Sequence, residues 1–299
     1  MATAGISSTP SDLDGLRRRL DEIDDALQAL LIERADIVSL VADRKRRDGA
    51  LASFQPAREA EILRRLAARH RGAFPLATLL RMWREMLAAT VRMQMQFAVA
   101  VYAPPEAPGF WDLARDQYGS LTPMSAYRSV GQVIRAVGDG AAAVGVLPMP
   151  QEGDPDPWWR LLLSNDENAP RVVARLPFGA RGNARSEGAD ALAIGRFAQQ
   201  PTGEDRTLFI NETAEHVSRA RLFGMLAACR LTCTFFAAFD HAAGAIDLIE
   251  LDGFVPLADP RLAAFREQFG PALTQLLPFG GYAVPLSAAV LTPHTEAKG

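Results

Sequence analysis

The sequence is poor in the groups on which much enzyme chemistry depends. It has 2 cysteines and 4 histidines in 299 residues, and His70, His216, His241 and His294 are scattered along it. No P-loop, Gly-x-Gly-x-x-Gly, His-Glu-x-x-His or Gly-x-Ser-x-Gly word occurs, so phosphate cradles, zinc proteases and nucleophile elbows are not indicated, and no cofactor or metal is expected. Cys229 and Cys233 stand four apart. That spacing predicts two thiols on one helix, reduced and buried, without a mutual disulfide. No apolar run approaches the roughly 20 residues that a bilayer needs, and the first ten residues lack a basic-then-apolar leader pattern. A cytoplasmic protein is expected. Charge is balanced, with 32 Lys and Arg against 35 Asp and Glu and a net charge of −3. A dominant basic surface for nucleic acid is thereby excluded, although cations gathered in one pocket are not. What remains is 48% hydrophobic and 22% charged, an ordinary globular balance, at a length that suits two or three domains.

The most informative stretch is the first. Leu16, Leu20, Ile23, Leu27, Leu30, Arg34, Ile37 and Val41 recur in alternating steps of four and three, a heptad seam on one long helix. An arginine holds one place in it. A guanidinium keeps its proton, so its presence in a packing seam calls for an anion. Lys45 lies on the same face about three turns on, roughly 16 Å away. The two cations predict a pocket for a small polyanion. The helix should begin near Asp12, where Ser11 and Asp14 resemble a capping box, and end at Asp48-Gly49. Its length of about 35 residues, roughly 50 Å, demands partners along the whole stripe.

A second helix opens at Gln55-Pro56-Ala57-Arg58-Glu59, with proline at the first helical position, and closes at His70-Arg71-Gly72. A third begins at Pro75 or Leu76 and buries Leu79, Leu80, Trp83, Met86, Leu87, Val91 and Met95. Thr90 and Gln94 lie one turn apart on it, so both can reach one ligand. A solvated surface pair remains the alternative.

Long helix, short helix, long helix over residues 12–97, carrying Leu16-Arg17, Glu33-Arg34, Lys45, Pro56-Ala57-Arg58-Glu59 and Trp83-Arg84-Glu85-Met86 ahead of Thr90 and Gln94, resembles the all-helical class of chorismate mutases. The resemblance implies a unimolecular rearrangement of chorismate to prephenate, helped by conformational restraint and by charge stabilisation at the ether oxygen. It assigns Arg34 and Arg17 to the substrate carboxylates, Lys45 and Gln94 to the ether oxygen, and Glu59 to the ring hydroxyl. Arg58 lies beside the ring, and Thr90 stands where the family usually has a serine. Gln55, at the mouth of the second helix, replaces a usual acidic residue. Arg17 precedes Arg34 by about 25 Å of straight helix, so both serve one ligand only if a second copy of the helix runs antiparallel. An intertwined homodimer with Arg17 supplied across it follows. Read by itself, Arg17 is a solvated member of the basic run Arg17-Arg18-Arg19.

From Ala98 the period changes. Strands at Ala98–Tyr102 and Ala142–Leu147, and a strand or loop at Thr122–Tyr127, alternate with helices at Phe110–Gln117 and Val130–Val137, which predicts an α/β sheet with parallel pairing. Ser129–Val137 followed by Val144-Gly145-Val146-Leu147-Pro148 resembles the first lobe of prephenate dehydratases. Met149-Pro150-Gln151-Glu152 stands where that family has Ile-Glu-Asn-Ser, Asp190–Ile194 where it has Thr-Arg-Phe, and Leu163–Asp190 is short for a second lobe. Thr207–Leu286 reads as β-α-β-β-α-β, ferredoxin-like, and resembles an ACT domain whose effector motifs are replaced near Glu215-His216-Val217 and Ala238–His241. The expected architecture is thus multidomain. A helical mutase domain at 12–97 precedes a truncated α/β lobe at 98–200 and an ACT-like domain at 205–287, with flexible tails at 1–11 and 288–299. A mutase is expected. The alternatives are a bifunctional mutase and dehydratase, a lyase of the same helical fold acting on isochorismate, or a dimerising regulatory protein without catalysis.

Overall fold

A computed structural model describes residues 12–48, 54–183, 185, 189–241 and 244–291, in two compact units, 1–52 and 53–299. The first unit contains one described element, α1 (Leu13–Arg47). Asp12 is its N-cap with extended backbone but makes no side-chain cap, and the Asp48 N–H closes the far end on the Arg44 carbonyl at 3.0 Å. Ser11 and Gly49, expected at its two ends, lie outside the described residues. Asp14 in the first turn and Arg44, Lys45, Arg46 and Arg47 in the last match the helix dipole. No other described element of the unit covers the stripe, and Leu16, Leu20, Ile23, Leu27, Leu30, Ile37 and Val41 are 40–61% exposed.

The second unit begins with α2 (Pro56–Arg69) and α3 (Leu76–Gln94), close to the expected spans. There follow β1 (Val99–Tyr102), α4 (Gly109–Tyr118), β2 (Met124–Tyr127), α5 (Val130–Gly138) and β3 (Val144–Pro148), each where the period placed it. A 3-10 turn at Trp158–Leu162 leads to β4 (Arg171–Leu176) and β5 (Ala191–Gly195). The chain continues through β6 (Asp205–Thr213), α6 (Arg219–Ala228), β7 (Cys233–His241), β8 (Gly244–Asp252), α7 (Pro260–Phe269), β9 (Leu273–Ala283) and α8 (Ala288–Leu291). The capping box at α5 is formed: Ser129 accepts from the Gln132 N–H and Gln132 accepts from the Ser129 N–H.

All nine strands join one sheet, in the order β2-β1-β3-β5-β4-β9-β6-β8-β7. The parallel β2-β1-β3 ladder is the α/β part, and β5 and β4 extend it antiparallel. The last four strands keep the expected β-α-β-β-α-β order, with α6 and α7 packed through Leu222, Leu226, Leu262 and Phe265 on one face. They do not form a separate sheet. The halves meet where Val172 of β4 pairs with Gly280 of β9. Gly280 has φ +104°, and a Cβ there would lie 2.2 Å from the Val172 carbonyl oxygen, so only glycine lets the two backbones approach.

One expectation is overturned. Cys229 and Cys233 do not share a helix: α6 ends at Ala228, Arg230 turns the chain with a left-handed φ of 57°, and Cys233 opens β7. Both thiols are free. Among the described residues no helix is long and apolar enough to cross a membrane.

Candidate active site

On α1, Arg34 is partly buried; its Nη1 is closed off from solvent and has no hydrogen-bond partner among the described residues. Burial pulls the guanidinium below its ordinary pKa. A desolvated donor without an acceptor is costly, and an anion removes that cost. Arg17 is exposed and, among the described residues, paired only with Asp14 at 3.4 Å, an i,i+3 surface contact that holds it weakly. Lys45 sits in the last turn, partly buried, and makes no ion pair among the described residues, whereas its neighbours Arg44 and Arg46 pair with Asp48 and Asp43.

In the second unit, Gln55 is the N-cap of α2, and its carbonyl accepts from the Glu59 N–H at 3.1 Å. With Phe54, Pro56 and Ala57 it borders an open cavity of about 200 Å³ also lined by Arg196, Phe197, Ala198 and Gln200. Arg58 turns outward to Glu61 at 2.8 Å, both exposed. Glu59 faces inward, 8% exposed, and its Oε2 accepts from Arg84 Nη1 at 2.9 Å. On α3 the Thr90 hydroxyl is buried and donates to the Leu87 carbonyl at 2.9 Å, while Gln94 Nε2 donates to the Thr90 carbonyl at 3.2 Å. Both side chains are therefore held by their own helix.

Burial pushes the Glu59 carboxyl up to about 7 from its usual 4.5, against the opposing pull of Arg84. The folded chain holds this proton more tightly than the unfolded one. The stability so gained is complete below pH 4.5 and is lost as pH rises through 7.

Arg84 has no role in the sequence reading beyond its place in the word Trp83-Arg84-Glu85-Met86, although its signal is that of Arg34: an arginine in an apolar stripe, here between Leu80 and Leu87. It is 7% exposed and lies over the Phe178 ring at 5.2 Å. Gln117, with its amide oxygen turned toward it, accepts from Nη1 and Nη2 at 2.9 and 3.2 Å. Two further arginines tie the helices down. Arg64 donates to the Glu204 and Val284 carbonyls, each at 2.7 Å, and to the Thr202 hydroxyl at 2.8 Å, while Arg81 pairs with Asp116. Gly119, past the end of α4, lies so close to α3 that a Cβ would fall 2.8 Å from that of Ala88. The α2–α3 pair is thus built into the same body as the sheet.

Residues 16–95 match the family model for chorismate mutase type II, so the N-terminal helices are a domain of that type. The chain also resembles curated bifunctional chorismate mutase/prephenate dehydratases. It is 26% identical over 141 residues to one from Pseudomonas aeruginosa, covering 46% of this chain and 38% of that protein. A second, from Stutzerimonas stutzeri, is 27% identical over 146 residues, covering 48% and 40%. The match therefore spans about two fifths of these relatives' length. A prephenate dehydratase from Arthrobacter aurescens, solved in complex with L-Phe, has a TM-score of 0.47 and 11% identity, covering 66% of this chain and 94% of that one.

Proposed function

We propose that the protein is a chorismate mutase, converting chorismate to prephenate in phenylalanine and tyrosine biosynthesis, in a homodimer whose α1 helices run antiparallel. The observation that carries this is the Arg34 guanidinium, whose buried Nη1 has no hydrogen-bond partner among the described residues, in a segment that matches the mutase family model. Arg34 and the partner's Arg17 take the two carboxylates, Lys45 and Gln94 stabilise the ether oxygen as charge builds there, and Glu59 accepts from the ring hydroxyl. Thr90, Arg58 and the mouth of α2 at Gln55 complete substrate binding. No nucleophile, metal or cofactor takes part. Restraint of the flexible side chain over the ring supplies much of the rate.

The exposed stripe of α1 supports the dimer. An amphipathic helix of 35 residues gains most of its stability from packing, and a second copy offers the self-complementary surface that a two-fold axis requires. For the rest of the chain we read a dehydratase-like lobe and an ACT-like half without dehydratase chemistry, because the Thr-Arg-Phe and Ile-Glu-Asn-Ser words have no counterpart.

One assay addresses both parts. Purified protein should consume chorismate, followed by its loss of absorbance, and prephenate should accumulate without forming phenylpyruvate. No loss of chorismate would sink the mutase assignment. Appearance of phenylpyruvate at neutral pH, above the uncatalysed background, would instead favour a bifunctional enzyme.

A further inference from the structure

We infer that Arg84 is a positioning residue for Glu59, and that Gln117 and Phe178, from the sheet-bearing part of the chain, hold Arg84 in place. This rests on the mutase function proposed above, in which Glu59 receives the ring hydroxyl. The geometry divides the work of the Glu59 carboxylate between its oxygens. Oε2 is held by Arg84, while Oε1 accepts no hydrogen bond from the described residues and keeps its lone pairs for a ligand. Arg84 in turn has little freedom. Its Nη atoms are shared between Glu59 and Gln117, and the Phe178 ring sits under its plane. A planar guanidinium clamped on two edges and one face fixes the carboxylate's direction as well as its charge.

The coupling crosses a boundary in the sequence. Glu59 and Arg84 belong to the helices of the mutase match, whereas Gln117 lies on α4 and Phe178 follows β4. The sheet part thereby supports a group in the helical site. This gives that part a role even without a reaction of its own.

Among the described residues of the second unit, the charged and titratable groups around Glu59 are few. Arg84 faces it from α3, and Tyr118 from α4, the latter with a buried hydroxyl that has no partner among the described residues. On α2 itself Arg58 and Glu61 pair outward, and the Arg81–Asp116 pair borders the groove beside Arg84. Arg84 is therefore the cation that opposes burial and holds the Glu59 carboxyl at about 7 and no higher. Its loss leaves that carboxylate uncompensated.

The test uses the full chain as wild type, Arg84→Gln, Arg84→Lys and Gln117→Leu. Glutamate-labelled ¹³C NMR without substrate follows the Glu59 carboxyl, assigned by its disappearance in Glu59→Gln, and kcat/KM for chorismate is measured against pH. The wild-type carboxyl should titrate near pH 7. In Arg84→Gln the titration should move to higher pH, the ionised fraction at neutrality falling ~10-fold or more, with the acid limb of kcat/KM moving alike. Arg84→Lys should restore most of both. Gln117→Leu should move them in the same direction by less, and it decides the matter if Arg84→Gln does not fold. A folded Arg84→Gln or Gln117→Leu protein whose Glu59 titration and acid limb coincide with wild type would overturn the inference. If the wild type shows no mutase activity, the proposed function fails, and the NMR titration still decides the Arg84–Glu59 coupling.

Discussion

Replacing Arg34 with alanine should lower kcat/KM for chorismate by ~10²- to 10³-fold, the scale of losing one partner of a desolvated ion pair. The helix itself should survive, because alanine is the best helix former and the buried Arg34 Nη1 makes no hydrogen bond to the described residues that would be broken. Far-UV circular dichroism and the oligomeric state should match the wild type. The loss should fall mainly on KM, with kcat little changed, since the carboxylate is held in the ground state and in the transition state alike. Arg34→Lys should recover little, because a point charge on a flexible stem does not reproduce the planar fork. A folded Arg34→Ala protein with full activity would remove the site as assigned.

Leu27→Glu should have the other large effect, through assembly. If Arg17 of one copy meets Arg34 of the other, the two-fold axis passes midway between them, close to Leu27 in both copies. The side chain is 51% exposed in the single chain, so a carboxylate there costs the isolated helix little. In the dimer the substitution would place two like charges together in a dry seam, where each is strongly disfavoured. The protein should therefore sediment as a monomer at concentrations where the wild type is dimeric. Mutase activity should fall in proportion to the dimer lost. The nine-stranded sheet belongs to the other unit, and its strand signal should be unchanged. A Leu27→Glu protein that remains dimeric and active would place the subunit contact elsewhere.

What could be read from the sequence follows the range of the forces involved. The three helices were legible nearly to their ends because periodicity, Pro56 at the start of α2 and the break after His70 are local. The strands of the C-terminal part were legible for the same reason. Their union into one sheet was not, because it depends on Gly280 lying against Val172, more than a hundred residues earlier, and no local pattern encodes that approach. β4 itself was missed, its Arg171 and Arg175 interrupting the apolar run. The cysteines were placed on one helix because the left-handed turn at Arg230, which ends α6, uses a residue with no special preference for it.

The site divides in the same way. Arg34 announced itself by breaking an apolar seam. Arg84 breaks another, but its flanking Leu80 and Leu87 mark only a buried face and not a partner for it. Glu59 could be singled out only by resemblance: a glutamate in the first turn of a helix is an ordinary dipole partner, and nothing local says that it will be buried. Its burial, and the arginine that compensates for it, come from the packing of α2 and α3 onto α4 and the sheet.

The central claim, a site completed across two copies of the chain, is tested most directly by mixing two inactive variants. Arg17→Ala and Arg34→Ala should each be nearly inactive alone. Unfolded together and refolded at equal amounts, they should form mixed dimers in which one of the two pockets has both arginines, returning about a quarter of the wild-type activity per chain, as expected for random pairing in a two-fold dimer. A mixture no more active than its components would contradict the shared site, as would Arg17→Ala with full activity by itself.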